Sequence, residues 1–298
     1  MPETVHHLER AQIRVGRALL APAMIALVVT IIAPLLLAFV FSFTRYDLLS
    51  APQFVGLDNY VALFSNSGFR KSIVNTLYFA GGQVVVGLVV AFMVAMLFNR
   101  PMPGSSFMRT TIYVPQAMSF VIVALVWSFL YDPIHGPINA ALRGLGFDTI
   151  HFLTSTELAM PAIIALSLWR NLGYFMIILL AGMQAIPEEL IEASHLDGAG
   201  AFQRIVHVII PQMKNTLFFV GVTWFMGGLQ MFTQSYVMTQ GGPVQSTRTV
   251  VYHMYESAFL SLNIGEASAV AVLMFLFVAV IAVPVRVWSE LRSNKAKR

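Results

Sequence analysis

The sequence predicts an all-α, polytopic membrane protein of six transmembrane helices, on three observations. Of its 298 residues 57% are apolar and only 11% are charged, with 23 Phe and 16 Met. A soluble chain of this size could not cover such a core with so few charges. Long uncharged runs recur along the sequence, separated by turn chemistry, and no alternating ten-residue pattern favours a β-barrel.

A hydrocarbon core of ~30 Å takes roughly 20 helical residues to cross. Runs of that length cover about 18–44, 72–99, 110–131, 158–186, 215–239 and 267–285, the fourth broken only by Arg170. Backbone groups in lipid must be satisfied within their own segment, so each run is read as a helix. The first follows Arg10, Arg14 and Arg17 and, at 27 residues, exceeds the ~7–15 residues of a signal-peptide core, so it reads as a retained anchor. Between spans lie Arg100-Pro101 with Pro103-Gly104, Asp132-Pro133 with Gly136-Pro137, and Gly241-Gly242-Pro243, all turn formers. No internal repeat is visible, and a single six-helix domain over 18–285 is the expectation, flanked by segments 1–17 and 286–298.

Orientation follows from Lys and Arg. With both termini in the cytoplasm, twelve lie inside and five outside: Arg45, Arg70, Lys71, Arg143 and Arg248. Arg70 and Lys71 are expected to snorkel at the outer end of the second span. This places the chain in an inner membrane, in contact with lipid, with loops 100–109 and 187–214 facing the cytoplasm.

Several functions are excluded. With no cysteine there is no thiolate chemistry or cysteine-ligated metal. None of the seven His pairs with an acid at helical spacing inside a span, so no metal is assigned. The net charge of +4 comes without a basic cluster interleaved with aromatics, which argues against nucleic acid. An ion-coupled secondary transporter, the main alternative, would place carboxylates at mid-membrane, and the spans have none. A membrane enzyme would need paired acids or an activated nucleophile; Asp132, Asp148 and Glu157 share a loop without motif spacing. No phosphate-binding loop of the Gly-x-x-x-x-Gly-Lys-Ser/Thr type occurs, so this chain supplies no nucleotide site by that motif.

The loop at 187–214 is too apolar for its place. Pro187 suits a first helical turn, and Glu188, Glu189 and Glu192 complement the helix dipole. Leu190, Ile191 and Leu196 give the helix an apolar side. Asp197-Gly198-Ala199-Gly200 is a turn, after which Phe202, Ile205, Val206 and Ile209 resume helical spacing up to Pro211. A lipid-surface helix would carry Lys and Arg, whereas this one is acidic. A protein partner with a groove is the better occupant.

Residues 192–211 resemble the Glu-Ala-Ala loop of ATP-binding-cassette importer permeases. Glu192, Ala193, Gly198 and Pro211 match at the family's spacing, while Ser194, Val208 and Ile210 are conservative departures. The resemblance extends to the carbohydrate-uptake type 1 class, the maltose and glycerol-3-phosphate permeases. It rests on Phe54-Val55-Gly56-Leu57-Asp58-Asn59-Tyr60, Asn75-Thr76-Leu77, Gly136 with Asn139, Ala185-Ile186-Pro187 and Thr239-Gln240-Gly241-Gly242-Pro243. It implies a type I importer permease fold and a non-catalytic subunit coupled to separate ATPases through Glu188, Glu189, Glu192, Ala193, Ser194, Asp197, Gly198, Ala199 and Pro211. ATP and Mg would sit on two partner ATPase subunits and not on this chain. A second homologous permease and an extracytoplasmic solute-binding protein would complete the system.

Arg170 stands about mid-span, where a charge costs at least ~2.5–3.5 kcal/mol on insertion scales. With no acid in any span, its counter-ion is expected to be water, another subunit or an anionic solute. Gln83, Gln116, Ser119, Ser167, Asn171, Gln230 and Gln234 are also polar within spans, where amides commonly serve as packing contacts. By resemblance to maltose-type permeases, the solute path would fall at Gln116, Ser119 and Phe120, at Ser167, Arg170 and Asn171, and at Trp224, Gly228 and Gln230. Trp288 fits an interfacial belt.

Overall fold

The computed structural model describes residues 16–100 and 102–296, with side chains in the last helix as far as Pro284. Expectations resting on Arg10, Arg14 and Pro101, and on side chains past Pro284 such as Trp288, lie outside the described residues. In chain order the helices are α1 (Gly16–Phe41), α2 (Asp58–Ser65), α3 (Ser67–Phe98), α4 (Ser105–Ala117), α5 (Phe120–Leu130), α6 (Pro137–Gly144), α7 (Ala159–Gln184), α8 (Glu188–Leu196), α9 (Ala201–Leu229), α10 (Val250–Tyr255) and α11 (Ile264–Ala296). One small ribbon pairs β1 (Thr44–Arg45) with β2 (Gln53–Phe54), antiparallel. Among the described residues, five helices are long and apolar enough to cross a membrane, or six if the bent α4–α5 pair is one span. The chain is thus a multi-pass membrane protein. It divides into two compact units, one formed by its ends, up to Ser65 and from Met254, the other by Asn66–His253.

In the first unit, the most apolar window of α1 has mean hydropathy 2.9 and is nowhere buried. A helix apolar all round is suited to lipid. Pro34 has no N–H to offer Thr30, and a π turn at Val28–Ile32 absorbs the gap. The chain leaving α1 is pinned from α2: Asn59 Nδ2 donates to the carbonyls of Ser42 and Thr44, both at 2.9 Å. Gly56, at φ +61°, makes the turn between β2 and α2. Tyr46 O accepts from Ile264 N at 2.8 Å, joining this corner to the start of α11.

In the second unit, α3, α7 and α9 pack about Phe98, Phe175, Met176, Leu179, Met213 and Trp224. Glycines bring the helices close. A Cβ at Gly173 on α7 would stand 2.6 Å from Tyr113 Cα on α4, and one at Gly228 on α9 would stand 2.8 Å from Ala80 Cα on α3. Without a hydrophobic drive between helices in lipid, such backbone approach is the main source of packing energy.

Two expected spans are differently drawn. The third, expected over 110–131, is no single helix: α4 and α5 meet at 100° across Met118 and Ser119, both with extended ψ. Pro115 removes one donor from the last turn of α4, which weakens the helix there. The fifth, expected over 215–239, starts at Ala201 and ends at Leu229. A π turn at Ile205–Ile209 precedes Pro211 and lets the helix run through it, while Ser235–Thr239 forms a separate π turn. Lys71, at the start of α3, reaches the loop beyond α9. Its Nζ donates to Val244 O at 2.7 Å.

Candidate functional site

A cavity of about 230 Å³ opens within the second unit where α3, α7, α9 and the α4–α5 break converge. Of the residues expected on a solute path, Gln116, Phe120, Asn171, Trp224 and Gly228 line it. Ser119 is exposed in the break, and Gln230 is exposed just beyond the end of α9. Ser167 is buried behind the wall, where its hydroxyl accepts from Gln234 Nε2 at 3.3 Å. Gln83, Gln234, Tyr174, Phe175 and Thr223, none of them expected on the solute path, also face the cavity. Gln83 and Gln234 are polar residues within spans, a type that commonly serves as a packing contact. What would have singled them out is pairing across helices, which no single-chain pattern reveals.

Trp224 is a buried part of the cavity lining. Its ring stacks on Phe175 with centroids 4.1 Å apart and planes 15° from parallel, and its Nε1 donates to Gln83 Oε1 at 2.9 Å. Gly87 leaves room for the far edge of the indole: a Cβ there would meet Trp224 Cζ2 at 2.5 Å. Buried indole N–H groups need an acceptor, and Gln83 is held in place by supplying it.

Arg170 is half-buried and finds its partners within this chain. Nη2 donates to the carbonyls of Gln116 at 3.1 Å and Met118 at 3.0 Å, and Nη1 to Gln116 Oε1 at 3.1 Å and Asn171 Oδ1 at 3.4 Å. Its guanidinium carbon lies 4.3 Å from the Phe120 ring centroid. Within this chain the guanidinium is met by helix-end carbonyls, whose partial negative charge suits a cation. No charged side chain lines the cavity itself among the described residues.

The second candidate region is the helix–turn–helix at 187–214. Helix α8 ends in a Schellman motif: Ala199 N donates to Ser194 O at 3.0 Å and Gly198 N to His195 O at 3.1 Å. Gly198 sits at φ +75°, as this motif requires. Gly200 N is then capped by Gln203 Oε1 at 2.8 Å, opening α9. Ser194 is buried and Ala199 half-buried, while Glu188, Glu189, Glu192, Ala193, Asp197, Gly198 and Pro211 are exposed. Leu196 and Phe202 flank the turn at 89% and 77% exposure. Both large apolar side chains stand open at the turn.

The family model described as binding-protein-dependent transport system inner membrane component matches residues 83–295. The chain is 30% identical over 266 residues to a probable starch degradation products transport system permease protein, AmyD, of Thermoanaerobacterium thermosulfurigenes, covering 89% of this chain and 90% of the relative. It is 33% identical over 267 residues to the sn-glycerol-3-phosphate transport system permease protein UgpA of Escherichia coli O157:H7, with the same shares. Among solved structures, a chain of a bacterial ABC transporter that imports the acidic polysaccharide alginate superposes with a TM-score of 0.82 at 22% identity, covering 97% of this chain and 98% of that one. The fold is that of an ABC importer permease, and the chain belongs to the family of binding-protein-dependent transport system inner membrane components.

Proposed function

We propose that this chain is the permease subunit of an ATP-driven importer, carrying an uncharged sugar delivered by an extracytoplasmic binding protein. The observation that supports it most is the elbow, where Leu196 and Phe202 stand exposed beside a turn fixed by Gly198. The acidic first turn of α8 disfavours anionic lipid, so the natural occupant is a groove on an ATPase subunit. Glu188, Glu189, Glu192, Asp197 and Pro211 would frame that contact. ATP and Mg belong to two such subunits, and a second permease completes the pathway. The cavity, at about 230 Å³, is smaller than the ~300–1,000 Å³ usual for ligand pockets, which fits a wall shared with another chain.

The solute class follows from the lining. Amides of Gln83, Gln116, Asn171 and Gln234, the Thr223 hydroxyl and the faces of Phe120 and Tyr174 can satisfy hydroxyls and stack on a sugar ring. A phosphate would call for charge-assisted donors, and Arg170 spends its two Nη groups on Gln116, Met118 and Asn171. Among the relatives' stated cargoes, starch fragments therefore fit better than glycerol-3-phosphate. In the mechanism, ATP-driven closure of the partner subunits draws the elbows together and turns the cavity from inward- to outward-facing. The bias comes from ATP and the loaded binding protein each favouring one state.

The test is co-purification. Leu196→Asp combined with Phe202→Asp should leave this chain membrane-inserted but strip the ATPase from the purified complex. Full retention of the ATPase with undiminished solute-stimulated hydrolysis would retire the coupling role.

A further inference from the structure

We infer that Arg170 is a positioning residue, which clamps the α4–α5 break open at its bend and so sets the wall of the cavity. This rests on the cavity being the solute path. Where the helix breaks, Gln116 O and Met118 O receive no backbone N–H among the described residues, and helix-end carbonyls left in this way take side-chain donors. One guanidinium serves both through Nη2 while Nη1 fixes the amides of Gln116 and Asn171, two groups that face the cavity. The same group lies over the ring of Phe120, a third cavity residue and the first of α5. Only Nε is left without an acceptor. Both halves of the bend and both polar groups at its rim thus converge on a single side chain from α7.

The geometry needs the planar fork and not the charge alone. A lysine offers one nitrogen at the end of a flexible stem and cannot reach two carbonyls and two amide oxygens while stacking on a ring. Arg170→Lys is therefore an informative change, since it keeps the cation and removes the clamp.

Phe107 on α4 and Phe129 on α5 are 78% and 58% exposed, and this chain has no cysteine. Spin labels at Phe107→Cys and Phe129→Cys, in the assembled transporter with cysteine-free partners, would report the bend by electron–electron distance without any solute. With Arg170→Lys the distance distribution should shift and broaden. The half-saturating concentration for uptake of a maltodextrin should rise about tenfold, the scale of one lost charge-assisted hydrogen bond, with the maximal rate changed less. If the variant assembles poorly, Gln116→Glu gives the clamp a carboxylate partner and should narrow the same distribution. Wild-type distances in both variants would overturn the inference. So would raised half-saturation at an unchanged distance, which would make Arg170 a direct solute contact. A shifted distance with unchanged half-saturation would leave the clamp standing and remove the cavity from the solute path.

Discussion

Gly198 separates two reasons for a glycine. A Cβ there would meet nothing within 4 Å, so space is not the constraint. Its φ of +75° is, because an L-residue in the left-handed region costs about 1–2 kcal/mol. Asparagine tolerates that region and β-branched residues do not. Gly198→Asn should therefore keep solute-stimulated ATPase activity close to that of the parent. Gly198→Val should lose most of it, while the chain still inserts. Equal coupling in the two variants, measured on purified complexes, would mean that the turn has no part in transmission. At Gly87 and Gly228 the reason is the opposite one: ordinary backbone, but a neighbour in the way.

Among the elements, close helix approach decides stability. Gly173→Leu on α7 would drive a side chain into the α4 backbone at Ile112 and Tyr113, where overpacking costs about 1–3 kcal/mol or more. The detergent-purified complex should melt several degrees lower, whereas Gly81→Leu on α3, with nothing within 4 Å of its Cβ, should melt as the parent does. Long helices were legible from hydropathy because lipid imposes one period and one length. The family signatures were legible as words, and the structure supplies their physics. Asn59 pins the end of α1, Asn75 Nδ2 donates to Gln245 O and Arg248 O at 2.7 and 2.9 Å, and Asn139 Nδ2 to Ile150 O at 3.0 Å. What could not be read was where a helix breaks. Pro115 ends α4 within three residues, while α9 runs through Pro211 behind a π turn, and the two prolines look alike in sequence. The outcome depends on who receives the freed carbonyls. For α4 that is Arg170, whose partners lie 52 and 54 residues away.

For the whole molecule, the length of α9 bears on which side of the membrane the elbow faces. The helix runs 29 residues from Ala201 to Leu229, about 44 Å at 1.5 Å per residue, longer than a ~30 Å hydrocarbon core. If α9 crosses the bilayer, the elbow at its start and the Gly241-Gly242-Pro243 loop beyond its end lie on opposite sides. Twelve Lys and Arg against five favour the elbow inside. The absence of native cysteine makes the test direct. A membrane-impermeant maleimide applied to intact spheroplasts should modify Val244→Cys, which is 75% exposed, and spare Leu196→Cys, which is 89% exposed, until the membrane is opened. Both positions are exposed in this chain, so repeating the labelling on membranes stripped of the ATPase separates shielding by the bilayer from shielding by the docked partner. Labelling of Leu196→Cys from outside would put the elbow beyond the reach of any cytoplasmic ATPase, and the coupling mechanism would have no site at which to act.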